Sequence, residues 1–246
     1  MTAIRNWFEQ GGAAYARYRP DYPVELAVFL AGLAPSRRLA VDVGCGNGQF
    51  TCLLARHFET VLGFDASPDQ IAHAVAHERV RYSQAPAEAL DVADGTASLI
   101  TAAQAAHWFD LPRFYREVRR IAAPDAVIAL ITYSVPEFDS EVNPRFQQFY
   151  ANEIGPYWPP ERRLVESGYA DLPFPYPEIA YPEIDISRDW DWSGFVGYLS
   201  TWSAMRKVEL SGRMDIVDDF LTEFESLWAG KTRTIRWRIK MRLGRV

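Results

Sequence analysis

Apolar and polar positions follow two alternating periods along the first half of the chain. Val24 to Leu33 carries an apolar face at helical spacing and stops before Pro35. Leu39-Ala40-Val41-Asp42-Val43 is a short apolar run that enters a turn, after which Phe50, Leu53, Leu54 and Phe58 recur on one helix face. Val61 to Phe64 is a second strand. Ser67-Pro68-Asp69-Gln70 opens a helix, with a Ser N-cap, Pro in the first position and Gln closing a capping box, and the pattern predicts that it runs to about Glu78. Arg79 to Ser83 and Ser98 to Ala103 read as strands three and four. Asp110 can cap a helix built on Phe114, Val118, Ile121 and Ala122 and ended by Pro124. Ala126 to Tyr133 is almost continuously apolar, as a parallel strand buried on both faces should be. Strand and helix alternate throughout, the signature of an α/β doubly wound sheet.

At Ser134 the alternation stops. Residues 134–185 interleave prolines (Pro156, Pro159, Pro160, Pro173, Pro175, Pro177, Pro182) with aromatics, which predicts an ordered cap, because disordered segments lack aromatics. One helix fits between Pro144 and Gly155. Ile179 to Ser187 alternates like a strand, Ser193 opens a helix carrying Phe195, Leu199 and Trp202, and Ile216 to Trp228 forms an amphipathic helix ended by Gly230. Residues 231–246 alternate Ile235, Trp237, Ile239, Met241 and Leu243 with Arg236, Arg238, Lys240 and Arg242, a strand with a basic, solvated outer face. The expected organisation is one domain over 1–246: an N-terminal arm (1–24), a core (36–133), the cap (134–185), and C-terminal helices with a final strand (186–246).

Composition narrows the function classes. The 246 residues are 48% hydrophobic and 14% aromatic, ample for a buried core. No apolar run approaches the ~20 residues of a membrane span, and the first residues have no secretory h-region. The net charge of −6 disfavours general attraction to nucleic acid, although 231–246 holds seven Lys/Arg and no acid. Cys45 and Cys52 sit on one turn and its helix, so no disulfide framework is implied and a cytoplasmic setting is expected. His73 and His77 are four apart on a helix, without the intervening Glu of a metalloprotease or a third ligand, so no metal site is expected.

The chemistry concentrates at strand ends, where open α/β sheets bind ligands. Gly44, Gly46 and Gly48 stand at alternate positions behind Asp42, a spacing unlike the G-x-G-x-x-G of nicotinamide folds. Such glycines permit positive φ and let a ligand touch bare backbone beside a helix N-terminus. Asp65 ends the second strand, about 20 residues on, where a ribose-binding carboxylate is expected. Asp42-x-Gly44-Cys45-Gly46-x-Gly48 resembles the first motif of class I S-adenosylmethionine-dependent methyltransferases. Ala87-Glu88-Ala89-Leu90 resembles the loop with which many of them cover adenine, and Gln104-Ala105-Ala106-His107-Trp108-Phe109-Asp110 resembles a small-molecule subgroup that includes trans-aconitate methyltransferase. The stretch Tyr198 to Ser203 is similar to that subgroup as well.

The resemblance implies a Rossmann-like seven-stranded sheet with an antiparallel last strand and S-adenosylmethionine as cofactor. It implies cofactor contacts at Asp42, Gly44, Cys45, Gly46, Gly48, Asp65, Ala66, Ala87, Glu88 and Gln104. The methyl acceptor is expected to be a small molecule, met by Tyr15, Tyr18, Arg19, His107, Trp108, Trp158 and Trp202. The N-terminal arm is either simple packing or a lid whose Tyr15, Tyr18 and Arg19 face the pocket. His107 is the candidate catalytic residue, as a base or as an orienter of the acceptor, against a purely structural alternative. An oxygen acceptor, carboxylate or hydroxyl, is favoured over N- or C-methylation of a heterocycle or natural product; an oxidoreductase and a non-catalytic binding module rank lower. No Asn/Asp-Pro-Pro-aromatic motif follows the fourth strand, which argues against methylation of nucleic-acid bases. Neither a nucleic acid nor a membrane partner is expected, and the chain is expected to be a monomer or weak homodimer.

Overall fold

The computed structural model describes residues 18–246. The first elements are helix α1 (Val24–Leu33), strand β1 (Leu39–Val43), α2 (Gln49–Leu54), β2 (Thr60–Asp65), α3 (Pro68–Ala72), β3 (Val80–Gln84), β4 (Ala97–Ala103), α4 (Leu111–Ile121) and β5 (Ala122–Tyr133). The cap supplies α5 (Asn143–Gln148) and α6 (Arg162–Glu166). Then follow β6 (Asp185–Trp190), α7 (Trp192–Ser200), α8 (Ser203–Leu210), α9 (Met214–Trp228) and β7 (Arg233–Arg245). The strands form one sheet in the order β3-β2-β1-β4-β5-β7-β6. Strands β1 to β5 pair parallel, and β7 runs antiparallel to β5 and β6. The chain direction of winding reverses between β1 and β4, so a crevice opens at their carboxyl ends.

The strands read as unbroken apolar runs because both faces are covered. On β5, Val127, Ala129, Ile131 and Tyr133 join one core with α1, α2 and the C-terminal helices. Ala126, Ile128 and Leu130, pointing the other way, join a second core with Phe114, Val118 and Ile121 of α4. Among the described residues no helix is long and apolar enough to cross a membrane.

Several boundaries differ from the sequence expectation. Helix α3 stops at Ala72, not near Glu78: its Ser67 cap accepts from Gln70 N as expected, but the chain then turns back so that Val75 N donates to Asn47 O. Strand β5 begins at Ala122, four residues early. Between the pairs Ala97–Ala122 and Leu99–Val127 a bulge takes up Pro124 and Asp125, the latter at φ 61°. The cap of α7 is Asp191, whose carboxylate accepts from Gly194 N and from the Ser193 hydroxyl, so Ser193 is not the N-cap. Strand β6 lies later than Ile179–Ser187, and α6 and α8 have no counterpart in the expected elements.

The outer face of β7 is less solvated than its alternation suggests, since Arg238 pairs with Asp185 and Glu183. Arg233, on the inner face with Ile235 and Trp237, is 4% exposed and ion-paired with Asp139 and Glu141. Arg242 meets Glu178 and the carbonyls of Tyr169, Ala170 and Leu172. The cap's acids and carbonyls thus hold it on β7, and Arg236, Lys240 and Arg245 remain exposed.

Candidate functional site

The turn after β1 is built so that backbone, not side chain, faces the crevice. Gly44, Gly46 and Gly48 have φ of 67°, 55° and 88°, a region that other residues enter only with strain. Their surroundings differ. A Cβ on Gly48 would overlap the Tyr82 hydroxyl and one on Gly44 would overlap Ala105, whereas one on Gly46 would meet nothing nearer than Gln70 Oε1 at 3.6 Å. Gly44 N and Cys45 N both donate to Phe64 O, at 2.7 and 2.9 Å, tying the turn to β2. Asp65 completes the tie: its Oδ2 accepts from Gly46 N and its Oδ1 from Ser67 N, each at 2.8 Å. Burial raises the Asp65 carboxyl above its ordinary pKa, against the lowering effect of those two N–H donors.

Asp42 sits beneath the turn, 1% exposed. Its two oxygens accept from the Thr51 and Thr101 hydroxyls at 2.7 Å each, joining β1 to α2 and β4. Burial pushes its pKa up to about 6, only partly offset by the hydroxyl donors. The neighbouring Cys45 thiol is pushed up by burial and by the charges of Asp42 and Asp65.

A cavity of about 620 Å³ opens from this turn. One wall is the loop after β3, residues 85–88, with Ala66. The Glu88 carboxylate accepts from Asp110 N at 2.8 Å, so its side chain fixes the connection after β4. Gln104 follows β4 in a left-handed conformation, φ 55°, with its N–H on Ile131 O and its Oε1 accepting from the Thr132 hydroxyl. Strain of this sort, about 1–3 kcal/mol, is held in place by surrounding structure and clusters at ligand sites. The far wall comprises Trp108, Tyr22, Tyr133 and Arg19. Arg19 donates to Tyr133 OH at 3.3 Å and to Thr201 O at 3.0 Å, and its guanidinium lies 5.6 Å from the Tyr198 ring centroid.

His107 stands behind Trp108, ring centroids 4.8 Å apart, with its Nδ1 2.8 Å from the Tyr169 hydroxyl. Burial, and then the charge of Arg162, lower its pKa to about 3, so the ring is neutral at pH 7. The ordinary histidine value of 6.5 does not hold here. Trp158 and Trp202 belong to the cap-side packing, 5.1 Å apart, with Trp202 also against Tyr150 and Tyr198.

Of the residues singled out in the sequence, Asp42, Gly44, Cys45, Gly46, Asp65, Ala66, Ala87, Glu88, Gln104, Arg19 and Trp108 line the one cavity. Gly48, Tyr18, His107, Trp158 and Trp202 are not on its wall: Gly48 backs onto Tyr82, and Tyr18 packs on Gly197. Tyr15 lies outside the described residues. Tyr22, Tyr133, Phe109 and Gln70 line the cavity without having been singled out. Tyr133 was within reach of the strand-end rule, since it closes β5. Among the described residues no cluster of three or more His, Cys, Asp or Glu could hold a metal ion.

Residues 41–130 match the family described as a methyltransferase domain. A Dictyostelium discoideum protein named as a methyltransferase is 31% identical over 222 residues, 89% of this chain and 84% of its own. A Saccharomyces cerevisiae protein named for S-adenosylmethionine-dependent methyl transfer is 33% identical over 51% of this chain, which spans 46% of that protein. A solved structure from Anaeromyxobacter dehalogenans, described as a type II methyltransferase, is 40% identical with a TM-score of 0.87, covering 93% of this chain and 98% of the other.

Proposed function

The chain belongs to the class I S-adenosylmethionine-dependent methyltransferases, and on that premise we propose that it methylates an oxygen of a small-molecule acceptor. S-adenosylmethionine is the cofactor, and the residues present fit it. Gly46 leaves open space where a side chain would stand, and Asp65 accepts one N–H on each oxygen, keeping a lone pair on each for a ribose hydroxyl. In this reading the backbone of Ala87 and Glu88 meets the adenine edge, and Gln104 holds the cavity's centre. Asp42 acts through Thr51 and Thr101, fixing the turn rather than touching the ligand. The cofactor supplies a methyl group already activated on a sulfonium for in-line displacement. What remains for the protein is to align the acceptor and exclude water.

The observation that carries the small-molecule reading is the size of the cavity, about 620 Å³. Arg19, which bridges Tyr133 OH and Thr201 O, ties part of its lining together. Cavities of about 300–1,000 Å³ are typical of small-molecule sites. A cationic side chain in that lining favours an oxygen acceptor that carries or develops negative charge. Burial lowers the His107 pKa to about 3, which makes it a weak base for the acceptor's proton and suits an indirect role, through Trp108, in orienting the acceptor. The test is a panel of carboxylic acids, phenols and heterocycles incubated with methyl-labelled cofactor. Label in base-labile esters or in ethers is the expected result. Label found only in nitrogen or carbon products, or only in protein or nucleic acid, would overturn the reading.

A further inference from the structure

Just after β4 stands a carboxamide whose polarity is set from behind. Thr132 of β5, fully buried, donates its hydroxyl to Gln104 Oε1 at 3.2 Å. With the oxygen held there, the amino group is turned away from Thr132, and Nε2 has no hydrogen-bond partner among the described residues. Gln104 lines the cavity, so Nε2 keeps two N–H donors for a molecule that enters. The backbone holds this side chain in place at φ 55°, with Gln104 N donating to Ile131 O at 2.8 Å. A glycine would take that conformation freely, so what glutamine adds at this position is the carboxamide.

Tyr133, next to Thr132 in β5, brings a second donor to the same cavity. Its hydroxyl oxygen accepts from Arg19 Nη1 at 3.3 Å, and its proton has no acceptor among the described residues. An oxygen that accepts from a cation donates more strongly in turn. Bases are scarce by contrast. The carboxylates on the cavity lining are each engaged by the protein: Asp42 by two threonine hydroxyls, Asp65 by two backbone N–H groups, and Glu88 and Asp110 by one each. His107 is not on the wall. Gln104 and Tyr133 thus present donors where, among the described residues, no group stands ready to take a proton.

We propose that Gln104 selects the acceptor: its Nε2 holds one oxygen of a carboxylate beside the Tyr133 hydroxyl, so the acceptors are carboxylic acids in their anionic form and the products methyl esters. This rests on the oxygen-methylation reading above and narrows it. Thr132 is a positioning residue that acts through Gln104. A carboxylate has two oxygens, so one is held by donors while the other attacks. The attacking oxygen bonds to the methyl carbon as the carbon–sulfur bond breaks, and the electron pair of that bond stays on sulfur. A carboxylate and a sulfonium become a neutral ester and a thioether, and no proton moves.

The test is methyl transfer from labelled cofactor to hexanoate, phenylacetate and benzoate, each set beside its matching primary alcohol. Base-labile label from at least one acid, and none from the alcohols, is the expected result. On the best of these acids Gln104→Met should lower kcat/KM at least about tenfold, the scale of one charged hydrogen bond. Its affinity for S-adenosylhomocysteine in calorimetry should be unchanged. Gln104→Glu should fall at least as far, since an ionised carboxylate offers no donor. Thr132→Val, which frees the carboxamide to turn over, should raise KM for the acid, and Thr132→Ser should keep the wild-type value. If Gln104→Met fails to fold, the two Thr132 variants decide. Label from none of the acids, full activity in Gln104→Glu, or a loss in Gln104→Met that appears as weaker S-adenosylhomocysteine binding overturns the proposal. Ethers formed from the alcohols would overturn it and leave the oxygen-methylation reading standing. Failure of the wild type to bind S-adenosylhomocysteine would instead refute the cofactor reading.

Discussion

The two walls of the cavity are made of different materials. The wall formed by the turn after β1, by Asp65 and by residues 85–88 is largely backbone, held by N–H donors to Phe64 O and Asp65 over separations of about 20 residues. The opposite wall is made of side chains brought from distant parts of the chain: Arg19 reaches Tyr133 and Thr201, and Trp108 is backed by His107, which reaches Tyr169. A backbone wall recognises one cofactor and tolerates little change, since its shape depends on positive φ and on the lack of Cβ atoms. A side-chain wall can be altered residue by residue while the sheet beneath it stays intact. The first wall accordingly fits a fixed cofactor and the second an acceptor that differs from one enzyme to the next.

The sharpest way to break that contrast lies within the glycine turn itself. Gly46→Val should lower affinity for S-adenosylhomocysteine by at least about 100-fold in calorimetry, because its side chain would fill the only open position of the three. Gly48→Ala should act through folding instead: its Cβ overlaps the Tyr82 hydroxyl outside the cavity, so the melting temperature should fall without ligand. If Gly46→Val binds normally, the backbone wall is not the cofactor's. Next in size, Asp65→Ala should weaken cofactor binding by roughly 1.5–3 kcal/mol, as expected for loss of a charged hydrogen bond. An unchanged affinity would remove Asp65 from the ribose.

Asp42 offers a smaller test, of stability rather than binding. Its folded pKa, about 6, lies above the ordinary carboxylate value of 3.8, so the folded protein holds a proton that the unfolded chain has lost between those values. The stability this provides is present at low pH and is lost as pH rises through 6. Asp42→Asn has no such dependence. The melting temperature of the variant relative to wild type should therefore rise from pH 4 to pH 7.5, by a few degrees for a difference on the order of 2 kcal/mol. A difference independent of pH would show that the burial of Asp42 is relieved in solution.

What could be read from the sequence divides along the same line as the walls. The glycine turn, Asp65 and the alternation of strand and helix are local patterns, and the sheet follows them with seven strands and an antiparallel β7. The cap's internal order was not legible. Its helices are short, α6 only five residues, and they are held by aromatic contacts such as Phe149 stacked on Phe220 at 3.7 Å. Nothing in the spacing of Pro and Trp says which rings will meet. The same holds for His107: its position after β4 is local information, but its neutrality comes from burial by the fold and then from the charge of Arg162, more than 50 residues away. Of the outward β7 residues, Arg236 and Lys240 are exposed as the alternation predicts, whereas Arg238 and Arg242 are partly covered because their partners Asp185 and Glu178 belong to the cap.

His107 yields the smallest effect and the finest test of the second wall. A general base poised near neutrality would lose roughly 10²–10⁴-fold in kcat on removal, with a wild-type rate rising through its pKa. Burial and Arg162 hold this imidazole at a pKa of about 3, so its protonation does not change between pH 6 and 9. Its Nδ1 meets the Tyr169 hydroxyl, which also interacts with Thr132, and the Thr132 hydroxyl in turn donates to Gln104 on the cavity wall. That chain fixes the ring's orientation. The expected behaviour, once an acceptor is found, is a wild-type kcat flat from pH 6 to 9 and a loss of about tenfold or less for His107→Gln, seen mostly in KM for the acceptor. Affinity for S-adenosylhomocysteine should be unchanged, because His107 is not on the cavity wall. Tyr169→Phe should produce a similar loss, since the tyrosine acts only by holding the histidine behind Trp108. A rate that climbs through pH 6.5, with His107→Gln down by a hundredfold in kcat alone, would mean that acceptor binding returns the imidazole to ordinary basicity and that proton removal belongs to this wall after all.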